Sequence, residues 1–338
     1  MDKLIVTGID ITHRSLKAVI LKPTGKSFSL LGYKEIVLNG DIVAENQLIN
    51  HQEIVNTLKE IKKSLPLFHR KVAIAVPDSA VISKVLPLDC DLEESEIEFA
   101  VAQAFSLQSP IPIDELSLDY VPCDGGTMTK NRQYQVFATR KELVDSRVKL
   151  LEKAGLKPAV VDVHAQVAGE VWQLAAEANP ENNSFCLVEV RERDGSITMF
   201  NTEGELFHKE FTWSPSEPLV QDSNFSEGGE AEIKATDHFN QDVAKNIQRQ
   251  LQLYSSVSGS NDVQGLWLSG SRASTPMLLE TLSTCLGIRC EILNIFEHFE
   301  IQLSPRRRRD LDWHRFTTAA GIAVRAIKCL RRGNASTR

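Results

Sequence analysis

The sequence contains no run of apolar residues close to the roughly 20 that a membrane-spanning helix requires. Its start, MDKLIVTGID, combines one lysine with a short apolar run that a threonine and an aspartate interrupt, which is unlike a signal peptide. The six cysteines are scattered, with no CxxC pair and no clustered histidines that would complete a zinc site. We therefore expect free thiols in a reducing compartment and a cytoplasmic location.

The signature motifs of several enzyme classes are also missing. The sequence has no GxSxG of serine hydrolases, no HExxH of zinc proteases and no GxxxxGK[ST] of P-loop nucleotide hydrolases. No cysteine and histidine have the spacing of a catalytic pair. These absences argue against the corresponding enzyme classes, so indications of function must come from the fold and from its loops.

Charge is distributed unevenly along the 338 residues. The segment 301–338 holds ten basic and two acidic side chains, a net of +8, so the segment 1–300 must carry −15 to give the formal total of −7. An acidic body repels phosphate backbones, which argues against a nucleic-acid partner. The four arginines Arg306 to Arg309 allow two interpretations, a solvated loop or a contact with anionic lipid or an acidic partner.

Apolar strands and amphipathic helices alternate along the chain, which is typical of an α/β fold. Leu4 to Ile11 and Val72 to Val76 read as buried strands, whereas 110–122, which begins and ends with proline, reads as a loop. Helical spacing of apolar residues occurs in 51–65, 93–107 and 141–154. The turn-rich stretch Asn179 to Ser184 indicates a boundary between two lobes, and 214–229 is predicted to be a loop or a disordered insertion.

The strand–loop–strand pattern near the start of the sequence recurs in its second half. GIDITHRSLKAVILKPTG and LVEVRERDGSITMFNTEG each combine a buried strand ending in an acid, a polar loop, a second strand and a turn glycine. The spacing between the acid and the glycine is identical in the two copies, from Asp10 to Gly25 and from Glu189 to Gly204. A third strand follows in each copy, so we predict a duplicated, two-lobed α/β architecture.

The first hairpin, with its pattern GID-I-x-x-x-S-L-K-A-V, resembles the first phosphate loop of the actin-like ATPase superfamily. Within that superfamily the order of segments is most similar to PilM, the family of actin-like proteins of type IV pilus assembly. The similar segments are RKVAIAVPDSAVISKVLPL, QSPIPIDELSLDYVP, QYQVFATRKELVDSRVKLLEKAGLKPAVVDV, NIQRQLQLY, GLWLSGSRASTPML and FTTAAGIAVR. The resemblance covers about residues 4–330. The cell-division family FtsA shares the fold and an inserted subdomain, and it is the main alternative to PilM.

The resemblance implies an α/β fold of the duplicated actin-like (ribonuclease H-like) type, with an α+β subdomain inserted in the first of two lobes. On this chain the implied bounds are 1–80 and 146–182 for the first lobe, 81–145 for the inserted subdomain, 183–330 for the second lobe and 331–338 for a basic tail.

The resemblance also implies a site for ATP and Mg²⁺ between the lobes. In this superfamily two hairpins of backbone N–H groups grip the phosphates, and a carboxylate at a strand end holds Mg²⁺ through water. Asp10 is the implied Mg²⁺ ligand. The implied nucleotide-binding residues are Asp10, Thr12, His13, Ser15, Lys17, Glu189, Gly270, Ser271 and Arg272. No catalytic residue is assigned.

Three positions depart from the family pattern. Thr12 stands where the family has a glycine, Glu189-Val190-Arg191 stands where it has Asp-Ile-Gly, and Gly270-Ser271 stands where it has two glycines. Glycines matter in such loops because they let the backbone approach the phosphates. Two interpretations remain open, a working nucleotide site or decayed loops, with weak or absent ATPase activity, on a retained scaffold.

The resemblance to PilM implies a cytoplasmic scaffold that associates peripherally with the inner membrane through its partners. It would bind the N-terminal cytoplasmic peptide of a PilN-like bitopic membrane protein and couple it to pilus motor ATPases and platform proteins. The expected groove lies between the first lobe and the inserted subdomain, whose helix carries Ile97, Val101 and Phe105. An extended peptide would add there as a strand.

Two other functions compete with the scaffold. An FtsA-like cell-division protein that tethers to the membrane needs a C-terminal amphipathic helix, and LRRGNASTR lacks the apolar face for it. A small-molecule kinase of the same superfamily needs intact phosphate loops and a base beside the acceptor hydroxyl.

Overall fold

The computed structural model describes residues 4–25, 27–44, 46–66, 69–123, 131–213, 229–259, 262–303 and 312–336. Arg306 to Arg309 and most of the insertion predicted at 214–229 lie outside these ranges. The strands are β1 (Val6–Ile11), β2 (Ser15–Thr24), β3 (Ser27–Val37), β4 (Val43–Ala44), β5 (Gln47–Leu48), β6 (Lys71–Val76), β7 (Val81–Asp89), β8 (Leu116–Pro122), β9 (Asn131–Arg140), β10 (Lys157–Val163), β11 (Phe185–Val190), β12 (Asp194–Phe200), β13 (Leu206–Thr212), β14 (Gly265–Ser269), β15 (Arg289–Ile292) and β16 (Glu300–Ile301). The helices are α1 (His51–Ser64), α2 (Glu94–Ser106), α3 (Lys141–Lys153), α4 (His164–Ala178), α5 (Gly229–Ser258), α6 (Leu278–Leu286) and α7 (Thr317–Ser336).

The first sheet has the strand order β10-β6-β1-β2-β3-β16. β1, β2 and β3 form an antiparallel meander, and β6, β10 and β16 run parallel to their neighbours. β2 is buried over most of its length, because helices cover both faces of the sheet. α1 and α3 pack on the face that carries Ile9, and α4 and α7 pack on the face that carries Val6 and Val19.

The second sheet repeats this topology in the order β13-β12-β11-β14-β15. It again has an antiparallel meander, from β11 to β13, followed by two parallel strands. α5 and α6 cover one face around Val188 and Leu266, while Leu187 and Trp267 on the other face join the core of α4 and α7. The predicted duplication and the two-lobed α/β class are thereby confirmed, and α4 and α7 lie between the two sheets.

The last elements of the chain return to the first sheet. β16 pairs with β3, and α7 packs against β1 and β2. The bounds implied for the second lobe, 183–330, stay a prediction, and within them this last segment contacts the first sheet. The close approach of α7 depends on Gly8, since a Cβ there would lie 2.1 Å from the carbonyl oxygen of Ala319.

A separate three-stranded sheet, with the order β7-β9-β8, forms the subdomain inserted between β6 and α3. α2 begins with a capping box formed by Glu93 and Glu96, and it covers one face of this sheet with Val101 and Phe105. The prediction of a loop over 110–122 is wrong for its second half, because Leu116–Pro122 is strand β8. The proline in β8 stands at the end of an edge strand, where the missing N–H breaks no ladder.

Candidate functional site

The turn after β1 and the turn after β11 meet in the cleft between the two lobes. His13 Nδ1 lies 3.6 Å from Asp194 Oδ2 across this cleft. Asp41 joins the turns a second time, since its carboxylate accepts from Arg14 Nε at 2.8 Å and pairs with Arg193 Nη2 at 2.9 Å. The two hairpins that the resemblance assigned to phosphate binding are therefore linked directly by side chains.

Asp10 and Lys17 face each other on the β1–β2 ladder, where each is only 2% exposed. Among the described residues, no group donates a hydrogen bond to Asp10 Oδ1. Burial raises the pKa of Asp10, with the charge of Lys17 opposing the rise and that of Glu189 adding to it. Asp10 and Glu189, which lie towards the end of the first strand of each lobe, are thus close enough to interact in the cleft.

The turn of the first hairpin is closed by its own polar groups. Thr12 N–H donates to the Ser15 carbonyl at 2.9 Å, and Ser15 N–H donates to Thr12 Oγ1 at 3.2 Å. The two hydroxyls lie 3.0 Å apart. Two backbone donors that a phosphate would use in a glycine loop are therefore engaged within the turn.

The second hairpin holds a buried ion-pair cluster around Arg191, whose side chain is 12% exposed. Arg191 Nη1 lies 3.1 Å from Glu189 Oε2, and its Nε donates to Asp194 Oδ1. The other oxygen of Glu189 accepts a hydrogen bond from Thr318 Oγ1 at 2.7 Å. Burial alone would lower the pKa of Arg191, but the two carboxylates outweigh it and raise that pKa. Burial alone would raise the pKa of Asp194, but the charge and hydrogen bond of Arg191 outweigh it and lower that pKa.

The third loop, after β14, folds tightly against the end of β11. Gly270 has a φ of +93°, and a Cβ there would lie 2.4 Å from the Val190 carbonyl oxygen, which requires glycine. Arg272 N–H donates to that same carbonyl at 2.9 Å, and its guanidinium lies 4.9 Å from the ring centre of Phe239 on α5. Ser271 Oγ is buried with no hydrogen-bond partner among the described residues.

The structure thus brings some predicted site residues together and separates others. Asp10, His13 and Glu189 face the cleft, whereas the guanidinium of Arg272 stacks on α5. Arg191 and Thr318, which complete the cluster, were not among the predicted residues. A basic residue between two acids was the sequence signal for the first, and FTTAAGIAVR contained the second.

The residues at the cleft fit a Mg²⁺ ion and a nucleoside triphosphate poorly. The carboxylates of Glu189 and Asp194 are already paired with one guanidinium, which balances one of their two charges and occupies the position between them. Side chains bridge the two turns between which the phosphates would enter. The orphaned oxygen of Asp10 is the feature of this cleft that resembles a cation site.

A second concave region lies between the inserted subdomain and the first lobe. It is a groove of about 550 Å³ whose walls are the start of α1, the turn before β8, the end of β9 and one face of α3. Val101 and Phe105, which were expected near this groove, are fully buried in the core of the subdomain. The groove lining is instead mostly charged: His51, Asp114, Glu115, Arg140, Lys141, Glu142, Asp145, Ser146, Lys149, Leu150 and Lys153.

Among the helices within the described ranges, none combines the length and the apolar character needed to cross a membrane.

Comparison with known proteins identifies the family. The model of the family described as type IV pilus assembly protein PilM matches residues 8–217 and 219–327. The chain belongs to the PilM family. A solved structure titled PilM-PilN type IV pilus biogenesis complex is similar to this PilM-type chain, with a TM-score of 0.75, 21% identity and coverage of 96% of this chain and 99% of that chain.

Two more distant structures share the architecture. The ethanolamine utilization protein EutJ from Carboxydothermus hydrogenoformans matches with a TM-score of 0.52 and 10% identity over 96% of this chain and 90% of that chain. A diol dehydratase-reactivating factor in nucleotide free form matches with a TM-score of 0.53 and 9% identity over 96% of this chain and 100% of that chain. At these identities the likeness concerns the fold, and the actin-like class expected from the sequence is confirmed.

Proposed function

We propose that this PilM-type protein is a cytoplasmic scaffold of the type IV pilus assembly platform, associated peripherally with the inner membrane through its partners. It binds the N-terminal cytoplasmic peptide of a PilN-like bitopic membrane protein. Through that contact it couples the membrane platform proteins to the pilus motor ATPases. The solved PilM–PilN complex supports the choice of partner, because its PilM-type fold aligns over nearly the whole chain.

The groove between the first lobe and the inserted subdomain is the observation that carries this proposal. β8 is an edge strand of the subdomain sheet, and Asp114 and Glu115 connect the groove to its start. An extended peptide that enters the groove can therefore pair its backbone with the open edge of β8. Lys149 and Lys153 on the opposite wall are exposed and supply charges for its side chains.

Calorimetry with a synthetic peptide that has the N-terminal cytoplasmic sequence of a PilN-like single-span protein from the same organism tests the proposal. We expect binding with a dissociation constant in the tens of micromolar or tighter, about −6 kcal/mol or stronger. Lys149→Glu together with Lys153→Glu should weaken binding about tenfold or more, because two charges in the groove are reversed. The matched control is Lys245→Glu on the exposed side of α5 in the second lobe, which should bind like the wild type. Absence of binding by the wild type at these concentrations refutes the proposal.

The same proposal treats the cleft as a degenerate ATP site with weak or absent hydrolysis. Calorimetry with Mg·ATP, with and without the partner peptide, measures this directly. We expect neither a Mg·ATP-dependent rise in the unfolding temperature nor a change in peptide affinity. A thermal shift with Mg·ATP that Asp10→Ala abolishes would instead establish a working site in which Asp10 holds the cation.

The cell-division alternative is disfavoured by the last helix. α7 is the element that would lead from the fold towards a membrane anchor, but Ala319, Ala320 and Ile327 are fully buried between the sheets. The apolar face of α7 is therefore used within the protein. A small-molecule kinase is disfavoured by the ion-pair cluster around Arg191, since the phosphate loops of such an enzyme must close on a triphosphate. ATP turnover above about 1 s⁻¹ with a sugar or acid substrate would revive that alternative.

A further inference from the structure

Three side chains that can bind a metal converge where the two lobes meet, outside the residues assigned to nucleotide binding. Asp78 follows β6 of the first sheet, and His208 and Glu210 lie at alternate positions of β13 in the second sheet, so they share one face of that strand. One imidazole nitrogen and one oxygen from each carboxylate all lie within 4.8 Å of one another. This group brings together segments that are far apart in the sequence, and it joins the two lobes.

Each of two members is held in place by a further hydrogen bond. The Nδ1 atom of His208 lies 2.8 Å from Thr198 Oγ1 on the neighbouring strand β12. Asp78 Oδ1 accepts from the N–H of Ala165, in the first turn of α4, at 3.0 Å. Metal-binding histidines characteristically engage their second ring nitrogen in this way, because it fixes the ring and its tautomer.

The other atoms of the same two side chains point at each other without forming a hydrogen bond. His208 Nε2 and Asp78 Oδ2 lie 2.9 Å apart, yet both are buried atoms without a hydrogen bond of adequate geometry to any described residue. The side chain of His208 is only 7% exposed, so water does not readily complete it. An imidazole nitrogen and a carboxylate oxygen are both ligands of divalent cations, so a cation beside them would complete both atoms.

The space beside the strand that carries two of these ligands is small. His208 and Glu210 line a cavity of about 20 Å³ that extends to Glu189 and Arg191 of the cleft, and Asp78 is not among its lining residues. A volume of that size holds one water-sized group or ion.

We propose that Asp78, His208 and Glu210 bind one divalent first-row transition-metal ion that ties the two lobes together. One imidazole with two carboxylates suits Zn²⁺ or Mn²⁺ better than Ca²⁺, which takes six to eight oxygens. With metal–ligand bonds of about 2.1 Å, atoms 2.9 Å apart subtend about 90° at the metal, as neighbouring ligands do in octahedral and five-coordinate sites. Thr198 is a positioning residue that holds the Nδ1–H tautomer and leaves Nε2 free for the metal.

The test is metal retention by the full chain. The protein is stripped with EDTA, incubated with Zn²⁺ or Mn²⁺ alone, desalted and analysed by mass spectrometry, with the unfolding temperature measured in parallel. We expect about one tightly held equivalent and a higher unfolding temperature for the wild type. His208→Gln and Glu210→Gln should retain less than about a tenth of an equivalent. Thr198→Val should bind about 10–100-fold more weakly in competition with a chelator.

Two controls separate this site from others. Among the described residues, Asp89, Cys90 and Asp91 form the other group of adjacent possible ligands, and they are exposed. Asp89→Asn with Cys90→Ser should retain the metal, and so should Asp10→Asn at the cleft. Circular dichroism and peptide binding report whether each variant is folded.

Three outcomes overturn the proposal. In the first, the wild type retains no metal, which leaves His208 and Asp78 as a simple ion pair between the lobes. In the second, the metal persists in both His208→Gln and Glu210→Gln. In the third, the metal is lost only in the Asp89–Cys90 variant, which means surface binding, or only in Asp10→Asn, which assigns the ion to the cleft.

Discussion

Replacing Arg191 with methionine tests whether its guanidinium is the counter-ion that Glu189 and Asp194 share. Methionine keeps much of the length of the side chain but removes its charge, so Glu189 and Asp194 lose their shared partner. These two carboxylates are only 14% and 18% exposed. Breaking a buried pair by removing one partner costs about 3–5 kcal/mol, because the other charge is left uncompensated. Since some solvent reaches this cluster, we expect about 3 kcal/mol, or roughly 150-fold in the folding equilibrium.

Urea denaturation followed by tryptophan fluorescence measures this loss, and Trp213 is well placed because its indole N–H donates to the Glu192 carbonyl in the same turn. Arg289→Met is the matched control. Arg289 pairs with Glu291, but the two are 57% and 40% exposed, so its loss should cost at most about 1 kcal/mol.

A second variant separates charge from packing. Combining Arg191→Met with Glu189→Gln and Asp194→Asn removes the uncompensated charges and should recover most of the lost stability. If the single variant loses less than about 1 kcal/mol, Arg191 is not the internal counter-ion of the cleft. If the triple variant recovers nothing, the loss comes from packing and the electrostatic reasoning is wrong.

Three further variants probe other contacts. Gly8→Ala should destabilise the protein by about 2 kcal/mol or more in urea denaturation, because its Cβ would meet the Ala319 carbonyl oxygen at 2.1 Å; Gly40→Ala, with no atom within 4 Å of the new Cβ, should be neutral. Thr318→Val removes the 2.7 Å donor to the Glu189 carboxylate and should cost about 1–2 kcal/mol by the same measurement. Burial lowers the pKa of His314 below 6.5, so this side chain binds a proton more readily in the unfolded protein than in the folded one. The free energy of unfolding should therefore fall by up to about 1.4 kcal/mol from pH 7.5 to 5.5, and His314→Gln should reduce that fall.

The local pattern of the sequence was sufficient to predict the duplicated hairpins. Asp10 and Glu189 each lie towards the end of a buried strand and precede a turn glycine at the same distance along the chain, and the structure gives the two segments the same place in equivalent sheets. Strand alternation and acid position are local properties, which is why they could be read without the fold. The β8 strand was missed because the prolines of its segment outweighed the alternation of Leu116 and Leu118 in the interpretation.

Contacts between residues that lie far apart in the chain could not be predicted from the sequence. Nothing near Arg272 indicates that its guanidinium packs on Phe239 rather than facing a nucleotide. The convergence of Asp78 with His208 depends on how two sheets are set against each other, and periodicity carries no such information. For the same reason α7 could be predicted as a helix, but not as a helix that belongs to the first sheet.

The packing of α7 on β1 has a consequence for how the protein is made. β1 leaves the ribosome long before α7, because nearly all the other strands and helices are translated between them. Until α7 emerges, one face of the first sheet, including Val6 and Val19, has no cover from that helix. Domains usually fold in the order of synthesis, but here the first lobe must wait for a helix that follows the second. Nascent chains and chains truncated before α7 therefore present an apolar sheet, which makes them substrates for chaperones and proteases.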